Sequence, residues 1–254
     1  MTYRKNIRPT HKSRADIEKE WDAIAPIRDT QISKGKDISF SKVLLPAINQ
    51  LTINSDFNRV LDVGCGVGFV TELLSIKASS IVGVDLSKRS VEFAQKRLSN
   101  THHASFFYGS IEEFAEQVAP HSFSLAVANM TLMAAIDLVG LLRSVARLVR
   151  TGAHFIFTTT HPCFWPHYWG YENTDWFQYH QEILVEAPFK ISFDIARVPT
   201  THVHRPLSQY INSLIEVGFR IEAVIEPFPP PDTDPEYLRT WHHPRFLAVR
   251  CVRE

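Results

Sequence analysis

A glycine-rich segment is the part of this sequence whose residue types and spacing point most directly to chemistry. Residues 60–68 read Val-Leu-Asp-Val-Gly-Cys-Gly-Val-Gly, a pattern typical of a strand, a tight loop and the start of a helix. Gly64 and Gly66 have no Cβ atom to keep a ligand away from the backbone. The amides at the start of the helix, which we expect near Val67, favour a carboxylate or a phosphate. The segment therefore predicts a ligand-binding loop.

An acidic residue follows this loop at a meaningful distance. Asp85 ends the next predicted strand, about twenty residues after Gly64, which is the spacing of an acid that binds ribose hydroxyls. The glycine loop alone is weak evidence, but the loop and the acid together, each after a strand, predict a ligand that contains a nucleoside.

The charge next to the loop favours one nucleoside over another. Asp62 lies two residues before Gly64, where a carboxylate would repel a pyrophosphate and attract a cation. A dinucleotide loop usually has a third glycine where this chain has Phe69. S-adenosylmethionine carries a sulfonium and an ammonium group, so charge matching favours this cofactor over NAD.

The elements that must position these residues alternate between strand and helix. Short β-branched runs predict strands at 60–63, 81–84, 105–108, 125–128 and 154–158, with helical windows at 67–75, 87–98, 111–118 and 136–149. This alternation predicts an α/β fold with a Rossmann-like, doubly wound, mostly parallel sheet of seven strands. Ligands of such sheets bind at the carboxyl ends of the strands.

Additional segments flank the alternating region. Residues 1–55 are expected to form an N-terminal helical lid, with Ser13 capping one helix and Pro46 a weak point of a second helix over 40–51. Eight of the 20 residues 161–180 are aromatic, against 11% for the whole chain. Residues 161–205 are therefore expected to form an inserted, aromatic-rich lobe with a hairpin over 183–186 and 189–195. A helix from Pro206 to Gly218 and strands at 219–225 and 246–252 complete the prediction.

Composition excludes several classes of protein. The chain has 254 residues, 27 basic and 27 acidic, and a net charge of zero. This balance argues for one large domain and against a protein that binds nucleic acid through its overall field. The three cysteines, Cys65, Cys163 and Cys251, are far apart and indicate a reduced, cytoplasmic protein. The basic run between Arg4 and Arg14 is expected to be a solvated tail, with a phosphate-binding arm as the alternative.

No segment of the sequence is expected to direct the chain to a membrane. No apolar stretch follows the basic run, as a secretory signal requires. The apolar residues 125–142 are interrupted by Asn129, Thr131, Asp137 and Gly140, which argues against a spanning helix.

Residues 60–68, with Gly-Val-Asp-Leu-Ser at 83–87, resemble motif I and its successor in class I S-adenosylmethionine-dependent methyltransferases. The resemblance covers residues 59–160. His-Pro-Cys-Phe at 161–164 and His-Arg-Pro-Leu-Ser at 204–208 are similar to bacterial small-molecule methyltransferases of the ubiquinone/menaquinone type. The resemblance implies methyl transfer to a small organic acceptor, preferably at oxygen, by a domain spanning 56–254. That domain divides into a cofactor-binding core (59–160), a substrate lobe (161–205) and a C-terminal helix and strand pair (206–254).

The resemblance also implies a set of cofactor-binding residues. The backbone of the glycine loop would hold the methionine part, Asp85 the ribose, and Leu86 and Ile111 the adenine. Ser110 stands where many relatives have an acid. Asn129 follows the fourth strand without the Pro-Pro-aromatic pattern of enzymes that methylate bases, so a nucleic-acid substrate is not expected. The full predicted set is Asp62, Gly64, Cys65, Gly66, Asp85, Leu86, Ser110, Ile111 and Asn129.

Candidate catalytic residues are fewer. His161 follows the fifth strand and is the first candidate for a general base, with bonding to a loop carbonyl as its structural alternative. His204 is the second candidate, with capping of the following helix as its alternative. His202 with His204, and His242 with His243, lack the spacing of a metal site, so no metal is predicted. Two other functions stay open, a cofactor-binding cyclase that transfers no methyl group and a non-catalytic partner subunit.

Overall fold

The computed structural model describes residues 7–254, apart from the side chains of Asp194, Ile195 and Arg197. The largest element in these residues is a sheet of seven strands, which are β2 (Arg59–Val63), β3 (Ser80–Asp85), β4 (Ala104–Tyr108), β5 (Phe123–Asn129), β6 (Val149–Thr160), β9 (Phe219–Ile225) and β10 (Phe246–Arg253). Their order across the sheet is β4-β3-β2-β5-β6-β10-β9. Only β10 runs antiparallel to its neighbours. The Rossmann-like α/β prediction is confirmed.

Helices cover both faces of this sheet. The longer ones are α1 (Arg14–Ser33), α2 (Leu45–Leu51), α3 (Phe69–Ser75), α4 (Lys88–Arg97), α5 (Ile111–Gln117), α6 (Leu138–Leu148) and α8 (Leu207–Glu216), and short turns form α7 (Trp165–Trp169) and α9 (Pro235–Leu238). Adjacent strand residues point to opposite faces. Leu61 therefore packs with α5, α6 and α8, while Val60 packs with α2 and α3.

One helix start differs from the expectation. Helix α3 begins at Phe69 instead of Val67, because Gly68 precedes it with a φ of +88° and a Cβ there would lie 2.9 Å from Ala94. Residues 38–51 are helical without a break, and the segment is irregular next to Pro46, where a π-helical turn at Phe40–Leu44 runs into α2.

Helix α1 starts as the sequence predicts and is fixed to the sheet domain. Ser13 and Asp16 form a reciprocal capping box at its first turn. Along the helix, the Asp22 carboxylate accepts a hydrogen bond from the Ser87 hydroxyl at 2.6 Å. Near its end, Asp29 forms an ion pair with Arg97 of α4 at 2.6 Å. These polar contacts hold α1 across the carboxyl edge of the sheet.

A second, three-stranded sheet contains the hairpin of the inserted segment. Its order is β1 (Arg8–Pro9), β7 (Ile183–Ile191) and β8 (Asp194–His204). The predicted hairpin was misplaced, since residues 189–191 continue the first strand and the turn comes at Ser192, whose φ is +52°. Pro188 is tolerated within β7 because it pairs with Pro199 beside a register irregularity.

The described part of the N-terminal basic run forms ion pairs and is not the free, solvated tail that the sequence predicts, while the phosphate-binding arm stays an untested alternative. Arg8 lies 2.7 Å from Glu186, Lys12 contacts Glu186 and Glu20, and Arg14 contacts Glu112. Arg4 and Lys5 lie outside the described residues. Within residues 7–254, no helix combines the length and the apolar character that crossing a membrane requires.

Candidate cofactor and active site

A cavity of about 280 Å³ lies at the carboxyl ends of the parallel strands. The loops that follow β2, β3, β4 and β5 line its first part, which we call the loop end. Residues of the inserted segment and of β10 line its second part, which we call the lobe end and which contains Trp165, Trp169, Phe189, His202 and Phe246. Helix α1 contributes Ile17 and Trp21 to the wall.

The glycine loop is shaped by positive φ angles and by one backbone anchor. The amides of Gly64 and Cys65 both donate to the Val84 carbonyl, at 2.8 and 3.0 Å. A Cβ on Gly64, whose φ is +68°, would lie 2.4 Å from the Thr131 side chain. Gly66 has a φ of +54° and lines the cavity, and a Cβ on it would meet no described protein atom within 4 Å. The loop therefore leaves open space beside Gly66 that a side chain would occupy.

Asp85 connects the next strand to this loop. Its carboxylate accepts hydrogen bonds from the Gly66 amide at 2.7 Å and from the Ser87 amide at 2.8 Å, one on each oxygen. Removal from water raises the pKa of Asp85 to about 6, against the lowering effect of these two amides. Each oxygen has a second lone pair, so the carboxylate can still accept hydrogen bonds from a ligand.

Asp62 lies deeper in the same wall and is only 1% exposed. The Thr71 hydroxyl donates to its Oδ2 atom at 2.6 Å, whereas Oδ1 has no partner among the described residues. Burial, and secondarily the charge of Asp85, raise the pKa of Asp62 to about 7 despite the Thr71 hydrogen bond. A buried carboxylate oxygen without a partner fits a cationic ligand group.

The residues predicted to enclose the adenine meet at the loop end. Leu86, Ser110 and Ile111 all line the cavity. The Ser110 hydroxyl is already engaged, because it caps α5 by accepting from the Glu113 amide at 3.2 Å. Ser110 thus has a local structural role in addition to its predicted place beside the cofactor.

Asn129 and Cys65 have clear structural surroundings. Asn129 lines the cavity, and its Oδ1 accepts a hydrogen bond from the Thr158 hydroxyl at 2.8 Å. Cys65 is buried, and a Cβ on Gly83 would lie 2.9 Å from its sulfur. Burial raises the pKa of the Cys65 thiol well above its usual range. Cys65 therefore fills space in the loop as a neutral thiol and is not an activated nucleophile.

The two histidines predicted from the sequence do not line this cavity. His161 is bonded through Nε2 to Glu226 at 2.8 Å, and its Nδ1 accepts from the Cys163 amide at 3.2 Å. The Nε2 atom of His204 contacts the Tyr179 carbonyl at 3.0 Å. Burial lowers the pKa of both rings. Both predicted bases are thus occupied by protein partners, and neither belongs to the wall of the cavity.

His202 does line the cavity, although no pattern in the sequence singled it out as a base. Its Nε2 lies 3.1 Å from the Tyr171 hydroxyl, and its Nδ1 has no partner in the part of the chain that the structure describes. Burial, with a smaller effect of His204, lowers the pKa of His202 to about 3. The ring is therefore neutral near pH 7 and presents one unused nitrogen.

Among the described residues, no three His, Cys, Asp or Glu side chains converge in a way that could hold a metal ion. The three cysteines are free.

Comparison with known proteins agrees with this geometry. Residues 54–189, more than half of the chain, match a family model described as a methyltransferase domain. A ubiquinone biosynthesis O-methyltransferase from Vibrio cholerae is 30% identical over 101 residues, which are 40% of this chain and 41% of that protein. The similarity thus spans about two fifths of the curated relative.

Solved structures extend the similarity of the fold to most of the chain. An S-adenosylmethionine-dependent methyltransferase from Mesorhizobium loti aligns with a TM-score of 0.63 and 24% identity over 82% of this chain and 96% of that chain. The 4+2 cyclase SpnF aligns with a TM-score of 0.64 and 14% identity over 96% of this chain and 98% of that chain. At these identities the alignments show a shared fold.

Proposed function

This chain belongs to the methyltransferase-domain family, and from that premise we propose that it transfers a methyl group from S-adenosylmethionine to a small organic acceptor, preferably to an oxygen atom. S-adenosylhomocysteine would be the second product. The observation that carries the proposal is the unpartnered, buried Oδ1 atom of Asp62 beside the open space at Gly66. Together they fit a compact cationic ligand.

The loop end would hold the cofactor. Asp62 supplies a negative charge for its cationic part, and the space at Gly66 admits it close to the backbone. Asp85 has lone pairs for the ribose hydroxyls, and Leu86 with Ile111 provides apolar contact for the adenine. When bound, S-adenosylmethionine supplies a methyl group on a sulfonium that a nucleophile can attack.

The Asp62 carboxylate also disfavours a dinucleotide. A pyrophosphate placed at this loop would face the charge of Asp62, and Phe69 replaces the glycine that such loops usually have at that position. Like charges at short range are destabilising in a site removed from water. The residues present therefore fit S-adenosylmethionine better than NAD.

The lobe end would hold the acceptor. Positioning alone can supply about 7–11 kcal/mol of the barrier, so the chain needs chiefly to orient the acceptor and exclude water. Tryptophan and phenylalanine rings form an apolar wall for this purpose, and α1, which contributes Ile17 and Trp21 to the wall, would act as a lid. His202 is the residue we assign to the acceptor hydroxyl. When its Nε2–H donates to the Tyr171 hydroxyl oxygen, Nδ1 is an acceptor without a partner among the described residues.

The low basicity of His202 is compatible with this role. An alcohol or phenol oxygen that gains a methyl group before losing its proton is a very strong acid. An imidazole whose pKa is about 3 can accept that proton as the O–H bond breaks and the O–CH3 bond forms. Before that step, a hydrogen bond to Nδ1 would orient the oxygen.

The chemistry of the cavity favours a small molecule as substrate. The free cysteines favour the cytoplasm as the location of the protein. A volume of about 280 Å³ lies just below the usual range of about 300–1,000 Å³ for ligand pockets. The inserted segment lines the lobe end without filling it, which disfavours a non-catalytic subunit.

The test is a transfer assay with S-adenosylmethionine labelled as the trideuteromethyl compound. The protein is incubated with a panel of phenols, hydroxy acids and amines, and products are examined by mass spectrometry. We expect a trideuteromethylated phenol or hydroxy acid together with S-adenosylhomocysteine. Binding of S-adenosylhomocysteine without labelled product from any acceptor would contradict methyl transfer and favour a cofactor-binding cyclase.

A further inference from the structure

Three buried hydrogen-bond donors have no partner among the described residues and belong to side chains that line the lobe end. They are Nε1 of Trp165, Nε1 of Trp169 and Nε of Arg245. Indole and guanidinium N–H groups can only donate hydrogen bonds. Because a buried donor that stays unpaired is destabilising, this cluster indicates a ligand that brings hydrogen-bond acceptors.

Arg245 adds a positive charge that the protein does not neutralise locally. It is 3% exposed, and no described carboxylate lies within the 4.0 Å of an ion pair with it. Its Nη2 donates to the Thr240 carbonyl at 2.6 Å and to the Thr240 hydroxyl. Arg245 also has side-chain hydrogen bonds with Tyr168 and Tyr237. These neutral oxygens satisfy part of the guanidinium and leave the charge itself without a carboxylate counter-ion, a costly state for a buried group.

Aromatic rings hold the guanidinium in place. Its Cζ lies 3.9 Å from the centroid of the Tyr168 ring and 4.4 Å from that of the Trp241 ring. Such contacts attract a cation and fix its orientation without cancelling its charge. Arg245 is therefore preorganised, and its Nε, the guanidinium atom without a partner among the described residues, can donate a charge-assisted hydrogen bond to a carboxylate oxygen.

The two ends of the cavity differ in charge. Asp62 and Asp85 give the loop end its negative character, whereas Arg245 and Lys190 are cations of the lobe end. Lys190 also faces Tyr168, with its Nζ 5.2 Å from the ring centroid. Asp37, an acid that lines the cavity, is bound to Arg28 at 2.7 Å. A cationic ligand group suits one end, and an anionic group suits the other.

We propose that the methyl acceptor is a small aromatic carboxylic acid whose carboxylate binds Arg245, with the indole N–H groups of Trp165 and Trp169 as further donors. The aromatic wall accommodates the ring, and a hydroxyl on that ring is the group to be methylated. This inference rests on the proposed function, since it names the class of acceptor for the same cavity.

The test compares matched acids and amides, which differ in charge and hardly in shape. Binding of 4-hydroxybenzoate and 4-hydroxybenzamide, and of 3-(4-hydroxyphenyl)propanoate and its amide, is measured by calorimetry in the presence of saturating S-adenosylhomocysteine. At least one acid should bind about tenfold or more tightly than its amide, as expected for a charge-assisted hydrogen bond. Equal affinity within both pairs, or no binding of either acid, would overturn the inference.

Variants test whether Arg245 causes the preference for an acid over its amide. Arg245→Gln should abolish the preference for the acid and leave the affinity for S-adenosylhomocysteine unchanged, while Arg245→Lys should retain part of it. Arg239→Gln, at an exposed arginine of the same segment, is the matched control and should behave as wild type. A preference that survives in Arg245→Gln would contradict the assignment. If the wild-type protein did not bind S-adenosylhomocysteine at all, the proposed function itself would be contradicted. Failure of the acceptor assignment and failure of the proposed function are therefore distinguishable.

Discussion

The Gly66 amide donates a hydrogen bond of 2.7 Å to the Asp85 carboxylate, across 19 positions of the sequence. The two halves of the sequence pattern, the glycine loop and the acid at the end of the next strand, are therefore in direct contact. The same carboxylate orients the Ser87 amide at 2.8 Å. Asp85 thus fixes the shape of the loop and at the same time offers lone pairs to a ligand.

Replacing Asp85 by alanine should weaken S-adenosylhomocysteine binding by roughly 1–3 kcal/mol, since charge-assisted hydrogen bonds to the ligand are lost. Calorimetric titration measures this change. Asp56→Ala is the control, because Asp56 also orients a backbone amide, that of Asn58 at 2.7 Å, but precedes β2 at the opposite edge of the sheet. Unchanged affinity in Asp85→Ala would contradict the ribose assignment.

The raised pKa of Asp62, about 7, predicts that ligand affinity depends on pH. The α-ammonium group of S-adenosylhomocysteine binds the ionised carboxylate, so the affinity for this ligand should rise between about pH 5.5 and pH 8, by up to about thirtyfold from Asp62. Asp85, with a pKa of about 6, contributes in the lower part of this range. Asp62→Asn should remove most of the dependence, and a wild-type affinity independent of pH would be inconsistent with the assignment.

The stability of the ligand-free protein should change in the opposite direction. A carboxyl group whose pKa is raised on folding binds more protons in the folded state, so its contribution is complete at low pH and is lost as pH rises from about 4 to about 7. Asp62→Asn should therefore gain stability relative to wild type at pH 8. Chemical denaturation at pH 5 and pH 8 measures the difference, and a relative loss at pH 8 would contradict the predicted sign.

Gly66→Ala should separate folding from binding. A residue with a Cβ at a φ of +54° costs roughly 1–2 kcal/mol of stability, and the added methyl group would occupy space intended for the ligand. Gly35→Ala is a matched control, because Gly35 has a φ of +65° and equally open surroundings but does not line the cavity. Both variants should lose similar stability, and only Gly66→Ala should lose S-adenosylhomocysteine binding. Equal binding by the two variants would show that the space is not used.

His202 and His161 should respond differently to alanine substitution. His202→Ala should lower kcat with little effect on S-adenosylhomocysteine affinity, because its free nitrogen is in the wall of the acceptor end. His161→Ala should leave kcat unchanged and reduce stability by roughly 1–3 kcal/mol, because the ring bonds Glu226 and the Cys163 amide. Turnover measured with an identified acceptor decides between them, and the reverse pattern would restore His161 as the base.

The sequence predicted the fold because its signals are local. Parallel strands buried on both faces read as short β-branched runs, and a helix start such as Ser13 with Asp16 needs only neighbouring residues. Strand β1 was missed, since two residues, Arg8 and Pro9, carry no pattern and pair with a strand far along the chain. The hairpin turn was misplaced at Pro188, where pairing with Pro199 is visible only in the folded state.

Side-chain function was less predictable than fold. The glycine loop and Asp85 form a pattern along the chain, and the structure brings them together. His202 and His204 are two residues apart in one strand, so periodicity places them on the same face. Only the packing of the hairpin determines that His202 reaches the cavity and His204 bonds the Tyr179 carbonyl. Arg245 is buried against the rings of Tyr168 and Trp241. No spacing pattern in the sequence indicates that these three residues meet.

The central claim is that the Asp62 carboxylate at the glycine loop selects a cationic sulfur nucleoside and rejects a diphosphate. It is tested most directly by thermal unfolding of the wild-type protein with S-adenosylmethionine and, separately, with NADH at the same concentration. We predict a higher melting temperature with S-adenosylmethionine and no change with NADH. Stabilisation by NADH without any effect of S-adenosylmethionine would contradict the claim.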